Sequence, residues 1–323
     1  MNPRLQFDGL ARAATLPAQP LHLAIGMFDG LHLGHQSVIE SALHSARRSG
    51  GLAGVLTFWP HPSTLFRPEN PTRLLMPPGM KRAVLARLGI DFLIEQNFSR
   101  EFAAVDAREF VALLKRSLPT LSAVYVGENW RFGRGRTGDV ALLVEDARPQ
   151  GVAVFSAPRL NHNGAPISSS RIRELLAAGA IAEVNALLGY SYFAEGLVER
   201  GQQLGRTMGF PTLNIAWAPD FRPCYGVYAV EVPTVTGQVL RGVANYGLRP
   251  TVGAATQPRL EVHLLDDSAL TYGAKITVNW LHFLRPESKF GSMDELRAQI
   301  ARDREDALKF FQKKVQSEFP KDA

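Results

Sequence analysis

The stretch Ile25-Gly26-Met27-Phe28-Asp29-Gly30-Leu31-His32-Leu33-Gly34-His35 breaks a short apolar run into a glycine-punctuated turn that carries two histidines. It predicts a first strand, Leu21 to Ile25, delivering His-x-Gly-His to the start of a helix. A helix start offers unpaired N–H groups and the positive end of the backbone dipole, which suits a phosphate. Gly26, Gly30 and Gly34 let the backbone approach a ligand closely, and the imidazoles of His32 and His35 add donors beside it. On these residues alone two other readings stay open. One is half a metal site, although no matching Cys or carboxylate cluster follows; the other is a buried structural pair.

Outward from this stretch, short apolar runs alternate with helical patterns up to about residue 185. Leu21–Ile25, Gly54–Phe58, Phe92–Ile94, Ala123–Val126 and Val152–Phe155 are the predicted strands. Gln36–Arg48, Pro78–Leu88, Asp106–Leu114 and Asp139–Ala147 are the helices between them. That βαβα rhythm predicts an α/β unit with a parallel sheet, whose ligands bind beyond the carboxyl ends of the strands, where His32 and His35 fall. Beyond residue 185 the rhythm changes. Tyr192–Val198, Gly226–Val232, Gln238–Tyr246, Arg259–Leu265 and Lys275–Phe283 read as strands separated by turns, predicting an all-β antiparallel barrel or sandwich. Ser292 and Glu295 form a capping box for a last helix, whose stripe of Met293, Leu296, Ile300, Leu308, Phe311 and Val315 is predicted to pack on this second part.

Bulk composition agrees with two domains in 323 residues. Cys224 is the single cysteine, so no internal disulfide can form, and a reducing, cytoplasmic setting is expected. No run is long enough to span a bilayer, and the first twenty residues lack the apolar core of a signal peptide. The formal charge of +6 suits anionic ligands, but the charges of both signs are interspersed. Nucleic-acid binding is therefore the weaker expectation.

Three further segments of the first half are expected to converge on the same site. Thr57-Phe58-Trp59-Pro60-His61-Pro62 ends a strand in a proline-rich turn. Val126-Gly127-Glu128-Asn129-Trp130-Arg131-Phe132 and the basic residues to Arg136 follow another strand, supplying an amide, aromatic rings and guanidinium groups. Gly133, Gly135 and Gly138 spell G-x-G-x-x-G, but the motif does not follow its strand directly and lacks the acidic residue a dinucleotide fold requires. Ile167-Ser168-Ser169-Ser170-Arg171-Ile172-Arg173 opens a helix with hydroxyls at its start and an arginine one turn in, which is also how a simple N-cap run looks.

His32-x-Gly34-His35 together with Ile167-Ser168-Ser169-Ser170 and Arg173 resembles the HIGH-type nucleotidyltransferases. With Phe28-Asp29-Gly30, Pro60-His61-Pro62 and Val126-Gly127-Glu128-Asn129 added, the first half is similar to the adenylyltransferase part of the bacterial bifunctional riboflavin kinase/FMN adenylyltransferase family, the FAD synthetases. The second half resembles the kinase part of the same family. It does so through Gly205-Arg206-Thr207-Met208-Gly209-Phe210-Pro211-Thr212-Leu213-Asn214, Gly226-Val227-Tyr228, Gly242 to Gly247 with Arg249-Pro250-Thr251, and Leu260-Glu261-Val262-His263. Phe283-Leu284-Arg285 with Glu287, Lys289 and Phe290 completes the set. Three positions depart from the family pattern: Trp59 stands where an acidic residue is usual, Ser170 replaces a threonine, and Leu213 replaces a small residue.

The resemblance implies a Rossmann-like adenylyltransferase domain over residues 1–185. It implies a β-barrel kinase domain with a closing C-terminal helix over 186–323. It further implies a cytoplasmic enzyme that converts riboflavin to FMN and FMN to FAD, using ATP and Mg²⁺. By the same resemblance His32, His35 and Arg173 are catalytic, Gly26, Phe28, Asp29, Gly34, Ser168 and Ser169 hold ATP phosphates, and Asn129 and Phe132 contact flavin. In the kinase half Glu261 is the base, Gly205, Arg206, Gly209 and Pro211 bind nucleotide, and Thr212 and Asn214 hold the metal. No Gly-Lys dipeptide occurs in the chain, so a P-loop is excluded. Neither a membrane nor nucleic acid is expected as a partner. One rival is a kinase whose first half is only a scaffold; another is a basic nucleic-acid-binding protein using Arg131 to Arg136.

Overall fold

The structure, a computed structural model, describes residues 5–200, 209–248, 258–268 and 270–318. The chain divides into two compact units, Met1–Ser169 and Ser170–Ala323.

In the first unit the apolar runs become strands because both faces of the sheet are covered. The strands are β1 (Leu5–Asp8), β2 (Leu21–Ile25), β3 (Leu52–Trp59), β4 (Phe92–Asn97), β5 (Leu121–Gly127) and β6 (Ala153–Ala157). They form one parallel sheet in the order β1-β4-β3-β2-β5-β6. The helices are α1 (Leu33–Ser49), α2 (Pro62–Phe66), α3 (Pro78–Leu88), α4 (Arg100–Ala103), α5 (Phe110–Ser117) and α6 (Val140–Ala147). Every residue of β2 is buried, as a central parallel strand requires. From β2 the chain winds through β3 and β4 to one side, then crosses to β5 and β6 on the other. The topological switch point therefore lies between β2 and β5.

Two elements differ from expectation here. β1 carries only Leu5 and Phe7 as apolar residues and pairs as an edge strand with β4, so no periodic signal marks it. α1 begins at Leu33, not Gln36, because the His32 side chain itself caps it by accepting from the His35 N–H. The glycines of G-x-G-x-x-G sit in a turn: Gly133 has φ +71°, and a Cβ there would lie 2.6 Å from Ala107 Cα.

After the two-residue hairpin strands β7 (Asn161–His162) and β8 (Ala165–Pro166), the second unit takes in helices α7 (Ser169–Ala177) and α8 (Ile181–Leu188). Strands β9 (Phe193–Glu199), β10 (Leu213–Ile215), β11 (Gly226–Pro233), β12 (Val239–Leu248), β13 (Pro258–Leu264) and β14 (Lys275–Pro286) close into a barrel in the order β10-β13-β12-β11-β14-β9. β10 was not among the expected strands; its three residues complete the barrel by pairing with both β13 and β9. Tyr228, Tyr246 and Trp280 fill the interior. Asn185 of α8 ties that helix to the barrel by donating to the Trp280 carbonyl at 2.8 Å and accepting from the Tyr192 N–H at 2.7 Å.

The last helix, α9 (Met293–Glu318), is capped by Ser292, which accepts from the Glu295 N–H. The Glu295 carboxylate reaches the Gly291 N–H, one residue before the position a regular capping box would use. The helix lies against the barrel through Ala307 and Phe311, but Met293 and Val315, at the ends of the expected stripe, are exposed. The helix outruns the barrel surface it covers. Asp303 takes an inward position instead, 5% exposed, with its carboxylate bridged by Arg285 Nε and Nη2 at 2.7 Å each and by Gln299 Nε2 at 2.8 Å. Asp303→Ala leaves a half-buried guanidinium without its counter-charge, so the second unit should lose about 3 kcal/mol. Urea unfolding reads this directly; an unchanged midpoint would show that α9 is held by its apolar contacts alone.

Candidate active sites

The turn after β2 is built by backbone conformations that only tertiary contacts hold. Phe28, Gly30 and Leu31 have φ of 49°, 82° and 41°. Such angles are costly for the two residues with side chains. At Gly30 an added Cβ would meet Leu75 Cδ1 at 2.7 Å, so glycine is required on both counts. Asp29 is buried and its carboxylate accepts from the Leu75 N–H at 2.9 Å, while its carbonyl accepts from Ser169 Oγ at 2.8 Å. Ser169, far away in sequence, thus fastens the turn. Phe28 is buried with its ring edge against His35. Asp29 shapes the loop from inside, whereas Phe28, though buried, also forms part of the cleft wall.

His32 and His35 stack face to face, with centroids 3.6 Å apart and planes at 17°. Burial lowers the His32 pKa to about 4 against the weaker opposing effect of its backbone hydrogen bond. Burial, then the neighbouring His32 and Lys81, push His35 well below the ordinary histidine value. Both rings are therefore neutral at pH 7. Among the described residues no group of three His, Cys, Asp or Glu side chains gathers to hold a metal, so the half-metal-site reading gains nothing.

A cleft of about 230 Å³ opens at the switch point, walled by Gly26 and Phe28 after β2, His32, Gly34 and His35 on α1, Gly127 to Trp130 after β5, and Ala157 to Leu160 after β6. Of the segments expected to converge, the loop after β5 does so through Glu128, Asn129 and Trp130, with Asn129 donating to the Glu128 carboxylate at 3.2 Å. Phe132 is 6% exposed, stacked on Trp130 and tilted against Phe110, so the ring facing the cleft is that of Trp130. Arg131 and Arg134 are paired with Asp139 and Asp106. Ile167 lines the cleft, while Ser168 and Ser169 are not among its lining residues; Arg173 is half-buried on α7. The turn at Pro60-His61-Pro62 does not line it: His61 caps α2 by accepting from the Ser63 N–H at 3.1 Å, and Trp59 is 46% exposed at the end of β3.

Sequence reasoning passed over Arg159, on the cleft wall, and Lys81, beneath the turn. Lys81 had an available signal: it shares one face of the Pro78–Leu88 helical pattern with the apolar Val84 and Leu85.

In the barrel, Leu260 and Val262 are buried while Glu261 between them points to the outer face, half-buried. Register places Glu261 opposite Asn214 of β10 on one side and opposite Asn245 of β12 on the other. The segment leading into β10 is fastened to the same strand, because His263 Nδ1 donates to the Pro211 carbonyl at 2.9 Å and its ring meets Phe210 edge-on. Asn214 thus stands opposite Glu261 as a neutral oxygen donor next to a carboxylate, with Thr212 just before β10. Gly209 has φ +83°, at the edge of the segment. Gly205, Arg206 and the Arg249-Pro250-Thr251 motif lie outside the described residues. Leu213 is half-buried within β10, its polar neighbours on either side.

Comparison with known proteins gives the class first. Residues 16–171 match the family model described as FAD synthetase and residues 188–311 the one described as riboflavin kinase, so the chain is a two-part transferase. The bifunctional riboflavin kinase/FMN adenylyltransferase of Escherichia coli K12 is 38% identical over 303 residues, covering 94% of this chain and 96% of that one. Its Bacillus subtilis counterpart is 36% identical over 293 residues, covering 90% and 92%. A solved structure from Streptococcus pneumoniae, described as a macrolide-efflux protein, superposes with a TM-score of 0.83 at 28% identity, covering 93% of this chain and 97% of that one. The chain belongs to the bifunctional riboflavin kinase/FMN adenylyltransferase family.

Proposed function

We propose that the enzyme's two consecutive reactions, riboflavin to FMN and FMN to FAD, run at separate sites, the second in residues 1–185 and the first in residues 186–323. The observation that carries this reading is the contrast between the two sites. The switch-point cleft carries two neutral imidazoles at a helix start, with Glu128 held by Asn129 on its wall; the barrel face carries a carboxylate between two amides.

The contrast follows the nucleophiles. Riboflavin attacks the γ-phosphate of ATP with a ribityl hydroxyl, whose proton must leave as the bond forms; Glu261 is the group that takes it. FMN attacks the α-phosphorus of ATP with a phosphate already mostly ionised at pH 7, releasing pyrophosphate, so no base is needed. There the task is alignment and charge stabilisation, which His32, His35, Ser168 and Ser169 supply. Asn129 and Trp130 are placed to meet the flavin.

Hard oxygen donors suit Mg²⁺, and Asn214, opposite Glu261, with Thr212 two residues before it, fits that ion. When bound it would neutralise phosphate charge. Riboflavin, FMN, FAD and ATP are the partners of this reading, in the cytoplasm. Among the described residues no helix is long and apolar enough to cross a membrane. The pairing of Arg131 and Arg134 with carboxylates weighs against a nucleic-acid role for their loop.

The test is incubation of the full chain with riboflavin, ATP and Mg²⁺, with products resolved by chromatography. FMN should appear first and FAD follow, and EDTA should stop both. FMN without FAD would leave the first half a scaffold; turnover undiminished by EDTA would remove the metal from the reading.

A further inference from the structure

Lys81 lies on α3 with 5% of its surface exposed, a burial lysine almost never reaches without a partner. Its Nζ donates to the Met27 carbonyl at 2.7 Å and to Thr57 Oγ1 at 3.3 Å, and Thr57 Oγ1 itself donates to the Met27 carbonyl at 3.2 Å. Met27 is the last residue before the strained turn in which Phe28, Gly30 and Leu31 have positive φ. Side-chain-bearing residues stay in such conformations only where the surroundings over-determine them. Downstream the turn is fastened through Asp29 by Leu75 and Ser169. Upstream its fastening is Lys81 with Thr57.

We propose that Lys81 is a positioning residue of the adenylyl-transfer site, its buried ammonium fixing the Met27 carbonyl and with it the phosphate-receiving shape of residues 26–31. This rests on the reading of His32 and His35 as the ATP-phosphate site. The clamp engages the Met27 carbonyl and sets a positive charge against the base of the turn. Burial lowers the Lys81 pKa, and the neighbouring carboxylates of Asp29 and Glu95 oppose that shift only in part.

The test is FMN adenylylation by Lys81→Met, which keeps the aliphatic stem and removes the ammonium. The KM for ATP should rise roughly 10–100-fold, the loss expected for a hydrogen bond from a charged group, while riboflavin phosphorylation is unchanged. Lys81→Gln can still donate to the Met27 carbonyl and should fall between Lys81→Met and wild type. Wild-type KM and kcat in Lys81→Met would overturn the proposal. A lowered melting temperature with unchanged KM would assign Lys81 to stability alone and overturn it equally. If Lys81→Met does not fold, Lys81→Gln decides: a raised KM supports the clamp and a wild-type KM refutes it. Adenylylation that survives loss of His32 and His35 would instead bring down the site assignment, and the clamp with it.

Discussion

Glu261→Gln should phosphorylate riboflavin roughly 10²–10⁴-fold more slowly than wild type, the usual contribution of a general base. The substitution keeps the side chain's length and its place between Asn214 and Asn245, so register and barrel closure persist. Only the basic oxygen is lost. An alcohol cannot attack phosphorus without shedding its proton, so the effect falls on kcat more than on the KM for either substrate. Adenylylation of supplied FMN should be unchanged, because its nucleophile arrives ionised. Measured side by side on one preparation, the two activities control for each other. Near-wild-type phosphorylation, or equal loss of both activities in folded protein, would remove Glu261 from the base role.

Replacing His32 and His35 together should have the reverse pattern: FMN accumulates and its conversion to FAD falls by roughly 10²–10³-fold or more, the loss typical for removing an electrostatic stabiliser. Because His32 also caps α1, His32→Asn with His35→Gln is the variant that keeps a cap acceptor while removing the stacked rings. The depressed pKa values add a pH dependence whose sign is fixed. In the unfolded chain these histidines titrate near 6.5; folded, His32 titrates at about 4 and His35 well below 6.5, so folding favours the neutral forms. Their contribution to stability is complete above pH 6.5 and is lost as pH falls toward 4. Wild type should therefore lose melting temperature through that window more steeply than the double variant. Equal slopes would mean that the rings are not held neutral, and full FAD synthesis by the variant would dissociate them from the reaction.

Much of this protein was legible along the chain because its signals are local. A mostly apolar run bounded by a glycine turn reads as a buried parallel strand, and Leu21–Ile25, apolar but for His22, became the central β2. Pro78–Leu88 formed the expected helix residue for residue, and the helix expected from Asp139 begins at Val140 with Asp139 as its cap. Motifs quoted from the sequence also fell at the ends of strands, where a doubly wound sheet places its ligands. β1 and β10 escaped because two apolar residues or a three-residue run carry no period; each exists through pairing with strands distant in sequence.

Chemistry divides in the same way. Residue types and spacing indicated imidazoles at a helix start and a carboxylate on a strand. They could not indicate that the two rings stack and lose their affinity for protons, since that depends on burial by the folded unit. Nor could they reveal that Asp29 and Phe132 turn inward, that the Pro60-His61-Pro62 turn leaves the cleft, or that a lysine on α3 holds the Met27 carbonyl. Local pattern determines which segments are strands and helices and which functional groups they carry. Long-range packing decides which groups meet, because desolvation and hydrogen bonding across the fold set both the charge a side chain keeps and the direction in which it points.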